Sequence, residues 1–288
     1  VEFSGIGSTA GETRDNTVLR MKPRSNTAVN QYFACDEGRL NYRWINRHDR
    51  LQVPVLGGRA VDWDVALKAA ADALKGRKAH VVASASLSNE ALYLLKQVSG
   101  ATGGSGSFRV KQGAEAPLPG VKDLALRADR AANATGAEML GFTRKDNPLA
   151  GFAKGDVLVL ADEECEGLDT AAFGAASAVI VIGTASPRGL PAGAILLPMA
   201  NVAEEEGTFT NLRGRVQRFL QAKAAPGLAR PSWLVIADLA AALGRNGNYL
   251  TAETVFAALA AAEAPFAGMS YDTLALKGQL ASLAGVNA

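Results

Sequence analysis

The sequence predicts an α/β protein in which a small β-rich cap precedes a doubly wound, mainly parallel sheet. The first observation is a set of short apolar runs, Asp156–Leu160, Ala178–Ile182 and Ala194–Leu197, that have the length of strands. The second is that segments of helical periodicity alternate with these runs. Strands that are apolar on both faces are typical of parallel sheets covered on two sides, and right-handed crossovers then give a doubly wound layer.

The composition excludes several classes of protein. With 48% apolar and 20% charged residues, a chain of 288 residues can bury a core, so disorder as the main state is excluded. A net charge of +2 gives no basic field for nucleic acid. The two cysteines, Cys35 and Cys165, are too few for a disulfide framework and favour a reducing compartment. No apolar run approaches the ~20 residues of a membrane helix, and the start at Val1 suggests a fragment or a processed piece.

Residues 1–55 form the predicted β-rich cap. This region is polar, contains an excess of arginine and lacks helical periodicity. Asp15 and Asn16 indicate a turn, and Thr17–Met21 is predicted as a strand that Pro23 interrupts, because proline has no amide proton for a ladder. Leu51–Gly58 is predicted as the linker to the next domain.

Residues 56–245 form the predicted α/β domain. Trp63–Leu74 keeps helical spacing after Asp62, which is a favourable N-cap residue. Ala79–Ala83 is predicted as a strand, and Ser88 is expected to cap a helix that runs through Val98.

The later elements of this domain are shorter. Gly100–Ser107 is rich in glycine and serine and is predicted as a loop. Ala171–Ala176 is predicted as a short helix, and Gly207–Phe219 as an irregular hairpin with a turn near Asn211. Trp233–Leu243 is predicted as a further helix.

Residues 246–288 form the predicted helical C-terminal tail. Thr251 is expected to cap a helix over Ala252–Ala262. Thr254 stands where a full capping box has Glu or Gln, so we expect a simple cap at this position.

Two glycine-rich segments imitate nucleotide-binding motifs. Gly5–Gly11 resembles a dinucleotide fingerprint but lacks the strand before it and the helix after it that such a site requires. Gly100–Gly106 lacks the Gly-Lys-Ser/Thr that completes a phosphate loop. We therefore expect a flexible turn and a surface loop.

No catalytic set of side chains is evident in the sequence. His48 lies in Arg47–Arg50, which is predicted as a solvated charged turn, and His80 begins a strand without a partner group. Cys165 lies in the acidic segment Asp162–Glu166, which we expect to be an exposed loop that raises the pKa of the thiol.

A family resemblance rests on short motifs near both ends of the chain, whereas residues 100–150 contain none. The motifs are Arg20–Arg24, Asn26, Val29–Phe33, Cys35–Arg39, Ala203–Asn211, Arg213–Gln217, and Trp233 with Leu239, Leu243 and Gly244. Together they closely resemble the molybdopterin oxidoreductase-like part of the large iron–sulfur subunit (the G subunit) of bacterial NADH–quinone oxidoreductase, respiratory complex I. The resemblance implies a molybdopterin oxidoreductase-like fold.

The resemblance also implies a lost metal site. In relatives that keep it, Cys35 would be the last ligand of a [4Fe–4S] cluster, and two of the other ligand positions fall at Phe3 and Gly7. A cluster needs about four thiolates, so Cys35 is a vestigial position and we expect no metal or cofactor in this chain. The resemblance places the [2Fe–2S] and [4Fe–4S] clusters on the N-terminal part of such a subunit.

The function implied is that of a non-catalytic structural section in the peripheral arm, supporting electron transfer from NADH to quinone. Catalytic relatives often have Lys where Glu37 follows Asp36, so the chain resembles the inert shell of the subunit. The expected partners are other peripheral-arm subunits, including those that carry flavin and iron–sulfur clusters, with no nucleic acid and no direct membrane insertion. The expected location is the cytoplasmic face of the inner membrane, within a membrane-bound complex.

Six arginines of the resembling motifs are candidates for buried or interface hydrogen bonds, because the guanidinium fork suits planar carboxylate and backbone contacts. They are Arg20, Arg24, Arg39, Arg213, Arg215 and Arg218. The alternative for each is a place on a solvated basic surface.

Two other functions stay open at this point. A nucleotide-binding oxidoreductase or transferase would have a pocket near Ala83–Ser88 or Gly183–Pro187, at the carboxyl ends of strands. A pterin-binding oxidoreductase domain of the molybdopterin family would line its cleft with Gly183–Ser186 and Glu204–Asn211.

Overall fold

The computed structural model describes residues 9–34, 36–117 and 125–282. The strands in these ranges are β1 (Thr9–Arg14), β2 (Thr17–Pro23), β3 (Val55–Leu56), β4 (Arg59–Ala60), β5 (Ala79–Ser84), β6 (Ser105–Arg109), β7 (Ala116–Pro117), β8 (Ala125–Leu126), β9 (Thr143–Arg144), β10 (Val157–Ala161), β11 (Ala178–Gly183), β12 (Ile195–Pro198), β13 (Gly207–Thr210), β14 (Arg215–Phe219) and β15 (Gln279–Leu280). The helices are α1 (Asp36–Leu40), α2 (Trp63–Leu74), α3 (Asn89–Ala101), α4 (Ala134–Met139), α5 (Ala171–Ala175), α6 (Ser232–Ala242), α7 (Ala252–Ala262) and α8 (Tyr271–Leu274), with 3-10 turns at Arg43–Asn46 and Ala264–Phe266.

The predicted mainly parallel sheet is confirmed. Within the described residues, eight strands form the central sheet in the order β4-β3-β12-β11-β10-β5-β6-β9. The strands from β12 to β9 pair in parallel, and β3 and β4 are antiparallel at one edge. The strand order changes direction around β5 and β10, as it does in a doubly wound fold.

Both faces of this sheet are buried, which explains why its strands are apolar throughout. Val81, Val159 and Ile180 pack on the face covered by α2, α3, α6 and α7. Leu158 and Val181 point to the opposite face, which Phe173 of α5 and the loop around Leu149 cover. Because successive side chains of a strand alternate between faces, each strand contributes to both layers of the core.

Several predicted elements agree closely with the structure. Helices α2 and α7 begin and end at the predicted residues. Ser88 accepts a hydrogen bond from the backbone of Ala91, as a capping residue should. Asp62 precedes α2 in an extended conformation, but its side chain makes no capping hydrogen bond.

The prediction of a simple cap at α7 was wrong in its detail. The Thr251 side chain accepts from the Thr254 backbone, and the Thr254 hydroxyl accepts in turn from the Thr251 N–H. A threonine hydroxyl can act in both directions, so it completes a capping box without Glu.

The prediction of a loop over Gly100–Ser107 was also wrong. Gly100 lies in the last turns of α3, and Ser105 begins β6 inside the central sheet. Gly104 approaches the backbone of Ala79 so closely that an added Cβ would lie 2.0 Å from the Ala79 carbonyl oxygen. Glycine is therefore used here for a close backbone contact rather than for loop flexibility.

The N-terminal segment is a hairpin packed on a small core of its own. The β1–β2 turn places Asp15 and Asn16 at φ 50° and 58°, which confirms the predicted turn. Val18 and Met21 of β2 are buried against Ile45 and Ala203. In the predicted linker, Val55 and Leu56 form β3. The division of the chain at residues 55 and 245 stays a prediction.

The C-terminal segment contributes to a second sheet of the described structure. Strands β13 and β14 form the predicted hairpin, and β15 pairs with β14. None of the helices in the described ranges combines the length and the apolar character that a membrane crossing requires.

Candidate functional site at the carboxyl edge of the sheet

The candidate site lies where the parallel strands β5, β10 and β11 end, because doubly wound folds bind ligands beyond the carboxyl ends of their strands. The residues that follow β10 and β11 are Asp162 and Thr184. Asp162 accepts hydrogen bonds from the Thr184 N–H at 3.1 Å and from the Thr184 hydroxyl at 2.7 Å. Burial raises the pKa of Asp162, and the two Thr184 hydrogen bonds act in the opposite direction. The two strand ends are thus joined by side-chain contacts.

A buried ion pair occupies the same edge. The Arg50 guanidinium donates to both carboxylate oxygens of Glu204, at 2.8 and 2.7 Å. The side chains of Arg50 and Glu204 are 3% and 0% exposed. Arg50 also donates to the carbonyl oxygens of Thr184 at 3.2 Å and Met199 at 3.0 Å, so it bridges the ends of β11 and β12. Lys223 lies 3.4 Å from Glu204 as a second cation.

A second buried carboxyl, Glu90, lies in the first turn of α3. It accepts from the Thr208 N–H at 2.9 Å, the Thr208 hydroxyl at 3.0 Å and the Tyr271 hydroxyl at 2.8 Å. Burial raises the pKa of Glu90 to about 7, although these hydrogen bonds favour the ionised form. Glu90 therefore connects α3, β13 and α8.

A third buried carboxyl, Glu205, holds the start of α6. It accepts from the Ser232 hydroxyl at 2.8 Å and from the Ser232 backbone N–H. Burial raises the pKa of Glu205 to about 8, and the nearby carboxylates of Glu90 and Asp162 add to the effect. A carboxylate at a helix N-terminus satisfies a backbone donor that has no partner within the helix.

The segment 203–211 is thus the polar centre of the molecule. Its members Glu204, Glu205, Thr208, Thr210 and Asn211 are all buried. The sequence singled out this block through the family resemblance, but it did not indicate the partners, which lie far away along the chain.

One of those partners was predicted wrongly. Arg47–Arg50 was expected to be a solvated charged turn, yet Arg50 is buried, whereas His48 is exposed. The backbone next to Arg50 is attached to the sheet edge, because the Leu51 N–H donates to the Thr184 carbonyl oxygen at 2.9 Å. This attachment brings the Arg50 side chain into the interior. Arg47 and Arg50, the two arginines of this turn, therefore differ in environment: Arg47 is partly exposed, whereas Arg50 is buried.

Two of the candidate interface arginines, which lie far apart in the sequence, contact the same segment, residues 276–278. Arg24 donates to the Leu276 carbonyl oxygen at 2.6 Å, and Arg215 donates to the Gly278 carbonyl oxygen at 2.8 Å. Arg39 lies on the surface, 3.9 Å from Asp36.

The remaining candidate arginines lie apart from the Arg50–Glu204 pair. The Arg213 backbone N–H donates to the Asn211 side chain at 2.9 Å, and Arg20 pairs with Glu12 on the surface. The Arg218 guanidinium lies 4.1 Å from the centre of the Tyr271 ring. Whether any of the six contacts another subunit stays a prediction.

Cys165 was predicted to be exposed and is buried instead. Its exposed fraction is 3%, and it packs in the apolar layer on the second face of the sheet. Its raised pKa is confirmed at about 12, but burial is the main cause and Glu163 the smaller one. His80 is half-buried, and its Nε2 lies 3.1 Å from the Pro148 carbonyl oxygen.

The cysteines present are too few for an iron–sulfur cluster. Cys35, Phe3 and Gly7 lie outside the described residues, and the whole sequence contains two cysteines, whereas a cluster needs about four thiolates. Among the described residues, no group of three or more His, Cys, Asp or Glu side chains could hold a metal ion. Arg50 and its hydrogen-bond partners lie at the ends of β11 and β12.

Comparison with known protein families gives a match to part of the chain. Residues 125–242, which include β10 to β14 and α6, match the model of the molybdopterin oxidoreductase family.

Among individual proteins, the chain is similar to the G subunit of NADH-quinone oxidoreductase from Pseudomonas fluorescens. The two are 40% identical over 99 residues, which cover 34% of this chain and 11% of the relative. It is 41% identical over 86 residues to F420-dependent formate dehydrogenase 2 subunit alpha of Methanococcus maripaludis, covering 29% of this chain and 13% of the relative. It is 38% identical over 90 residues to the assimilatory nitrate reductase catalytic subunit of Bacillus subtilis, again covering 29% and 13%.

The resemblance to the large NADH–quinone oxidoreductase subunit is therefore confirmed over about a third of the chain. The aligned part spans only about a tenth of the length of these relatives.

Proposed function

We propose that this chain is a non-catalytic structural section of the large iron–sulfur subunit of an NADH–quinone oxidoreductase. The observation that carries the proposal is the buried Arg50–Glu204 pair, which lies at the edge where a doubly wound sheet would bind a ligand. A pterin or nucleotide entering this edge would have to separate two charges that satisfy each other away from water. Leaving one of them unpaired would cost several kcal/mol, on the order of 3–5.

In this function the chain braces the electron-transfer path and does not carry electrons. The [2Fe–2S] and [4Fe–4S] clusters would belong to other parts of the subunit, and the chain would contact the subunits that bear flavin and iron–sulfur clusters. The complex would lie on the cytoplasmic face of the inner membrane. The similarity to the G subunits of NADH-quinone oxidoreductase from Pseudomonas fluorescens and Pseudomonas putida supports this assignment.

A nucleotide- or pterin-binding oxidoreductase domain is the second candidate. The similarity to a formate dehydrogenase subunit and to a nitrate reductase catalytic subunit favours it. In that case the segments 183–186 and 204–211 would line the cleft, and ligand binding would displace Arg50 from Glu204.

Calorimetric titration of the 288-residue protein with NADH, GTP and a molybdopterin compound separates the two functions. The structural function predicts no saturable binding and no thermal shift with any of the three. Saturable binding of any of the three in the micromolar range would contradict it and support the oxidoreductase domain.

A further inference from the structure

Residues 271–282 cross from the core to the N-terminal hairpin, and we call them the 271–282 strap. Tyr271 and Leu274 are buried in its first turn, whereas residues 275–277 are exposed. Ala275 lies at φ 44° and ψ −140°, a backbone conformation that is strained for alanine. The strap therefore combines a buried anchor with an exposed and strained middle, which is typical of segments that open locally.

The middle of the strap joins the N-terminal hairpin to the second sheet through backbone carbonyl groups. The Leu276 carbonyl oxygen accepts from Arg24, directly after β2, at 2.6 Å. The Gly278 carbonyl oxygen accepts from Arg215 of β14 at 2.8 Å. Opening of the strap would break both hydrogen bonds, so the attachment of the N-terminal hairpin depends on whether the strap is closed.

The polar anchor of the strap is the Tyr271 hydroxyl, which donates to the Glu90 carboxyl at 2.8 Å. Glu90 is fully buried, and it also accepts from the N–H and the hydroxyl of Thr208 at 2.9 and 3.0 Å. These three donors are neutral, so they leave an ionised Glu90 without a counter-charge in a site that excludes water. The strap thus closes over a carboxyl that is costly to ionise.

Among the described residues no cation contacts Glu90, although several charged and titratable groups surround it. They are Tyr271 and the exposed Asp272 of α8, Arg218 of β14, Glu205 and Glu206 before β13, and the pair of Lys96 on α3 with Glu263 that follows α7. Arg218 is already engaged by Glu206 at 3.7 Å and by the face of the Tyr271 ring, whose centre lies 4.1 Å away. Burial therefore dominates and raises the pKa of Glu90 to about 7.

The two protonation states of Glu90 respond differently to opening of the strap. The hydroxyls of Thr208 and Tyr271 can donate or accept, so a protonated Glu90 keeps its partners while the strap is closed. An ionised Glu90 gains hydration when the strap opens. Because a solvated glutamate has a pKa of about 4.3, the preference for the closed strap is complete below that pH and decreases as the pH rises towards 7.

We propose that the 271–282 strap is pH-sensitive: it stays closed over Glu90 in acidic solution and opens more often as the pH rises to neutrality, which loosens the N-terminal hairpin. The strap opens rather than the other partner of Glu90, because Thr208 belongs to β13, whose four residues are all buried and paired with β14. The proposal does not depend on the proposed function.

Hydrogen exchange of the 288-residue protein, corrected for the intrinsic exchange rate at each pH, tests the proposal. We expect the protection factors of the strap amides to fall at least about tenfold between about pH 5 and about pH 7. At the higher pH they should also be smaller than those of β10 and β11, because the opening is local. Glu90→Gln removes the titratable group and should make the protection of the strap independent of pH.

Glu205→Gln is the matched control, because this buried carboxyl contacts Ser232 and not the strap. It should keep the pH dependence of the wild-type strap. Tyr271→Phe keeps the ring and removes the hydroxyl that reaches Glu90. We expect it to lower the protection of the strap about tenfold at about pH 5, while Ala252–Ala262 of α7 stays protected.

Four results would overturn the proposal. The first is a wild-type strap with equal protection at both pH values, and the second is a strap as strongly protected as β10 and β11 at neutral pH. The third is a dependence that persists in Glu90→Gln or disappears in Glu205→Gln. The fourth is wild-type protection of the strap in Tyr271→Phe. The proposed function would survive each of them.

Discussion

Arg50 has the environment that most distinguishes this chain at the scale of single residues. It donates to two carboxylate oxygens and two carbonyl oxygens, and it is almost fully buried. Arg47, three residues earlier, pairs with Asp49 and Glu164 at a surface that is partly exposed. Arg50 thus belongs to a buried ion pair and Arg47 to a partly exposed one, so the two arginines can be compared directly.

We expect Arg50→Met to lower the free energy of unfolding by about 3 kcal/mol, because it leaves Glu204 buried with Lys223 as its remaining cation. Arg47→Met should cost less than about 1 kcal/mol, because exposed ion pairs contribute little. Urea denaturation of both variants measures the difference. Equal costs would show that the Arg50–Glu204 pair is not desolvated as described.

The buried carboxyl groups give the fold a pH dependence with a defined sign. Glu205 has its pKa raised to about 8 by burial, whereas an unfolded glutamate has a pKa of about 4.3. The folded state therefore binds the proton more tightly, and stability falls as the pH rises between these two values. The raised pKa of Glu90, about 7, acts in the same direction over a narrower range.

We expect Glu205→Gln to flatten this decrease by about 1 kcal/mol per pH unit between pH 5 and pH 7. The exposed Glu253→Gln is the control and should keep the wild-type slope. Denaturant unfolding at several pH values provides the measurement. A Glu205→Gln variant with an unchanged slope would mean that Glu205 is ionised in the folded protein throughout this range.

The sequence predicted the importance of the 203–211 block but not its contacts. Its clustered carboxylates and hydroxyls were visible, and so was the resemblance they carry. The partners Arg50, Glu90 and Ser232 are separated from the block by many residues, and a charge pattern does not distinguish a buried arginine from a solvated one. The sequence also gave no sign that Cys165 is buried. Its acidic neighbours suggested an exposed loop, whereas its side chain packs in the apolar layer on the second face of the sheet.

At the scale of elements, Gly104 allows strands β5 and β6 to approach each other closely. Gly104 touches the backbone of β5, whereas Gly100 has open space around the position of a Cβ. The two lie in the same glycine-rich stretch, for which the sequence predicted one loop. Composition suggested flexibility there, but the close approach of β6 to β5 became visible only in three dimensions.

We expect Gly104→Ala to destabilise the protein by about 3 kcal/mol, because the added methyl group would collide with the Ala79 carbonyl and push β5 and β6 apart. Gly100→Ala should instead stabilise it by about 0.5 kcal/mol through helix propensity. Thermal unfolding of the two variants tests this contrast. A stabilised Gly104→Ala variant would contradict the described strand spacing.

Ala275 ends α8 in a conformation that favours glycine, with φ 44° and ψ −140°. We expect Ala275→Gly to raise the free energy of unfolding by about 1 kcal/mol by relieving this strain. Ala267→Gly, at an ordinary φ of −55°, should lower it by about 0.5 kcal/mol. Chemical denaturation compares them, and a loss of stability at both positions would exclude strain at Ala275.

At the scale of the whole molecule, side-chain contacts hold the N-terminal hairpin to distant parts of the chain. Arg24 and Asn26 donate to the carbonyl oxygens of Leu276 and Lys277. Asn16 exchanges hydrogen bonds with Ala224. The order of strands and helices followed from apolar runs and helical spacing. These long-range contacts did not, because turn signals give no information about which distant segment a side chain will meet.

The central claim for the whole molecule is that this chain has no redox centre of its own. Iron and acid-labile sulfide analysis after anaerobic reconstitution of the 288-residue protein tests it most directly. We expect both at trace levels, with no difference between the wild type and Cys35→Ser. About four irons and four sulfides per chain, lost in Cys35→Ser, would contradict the account.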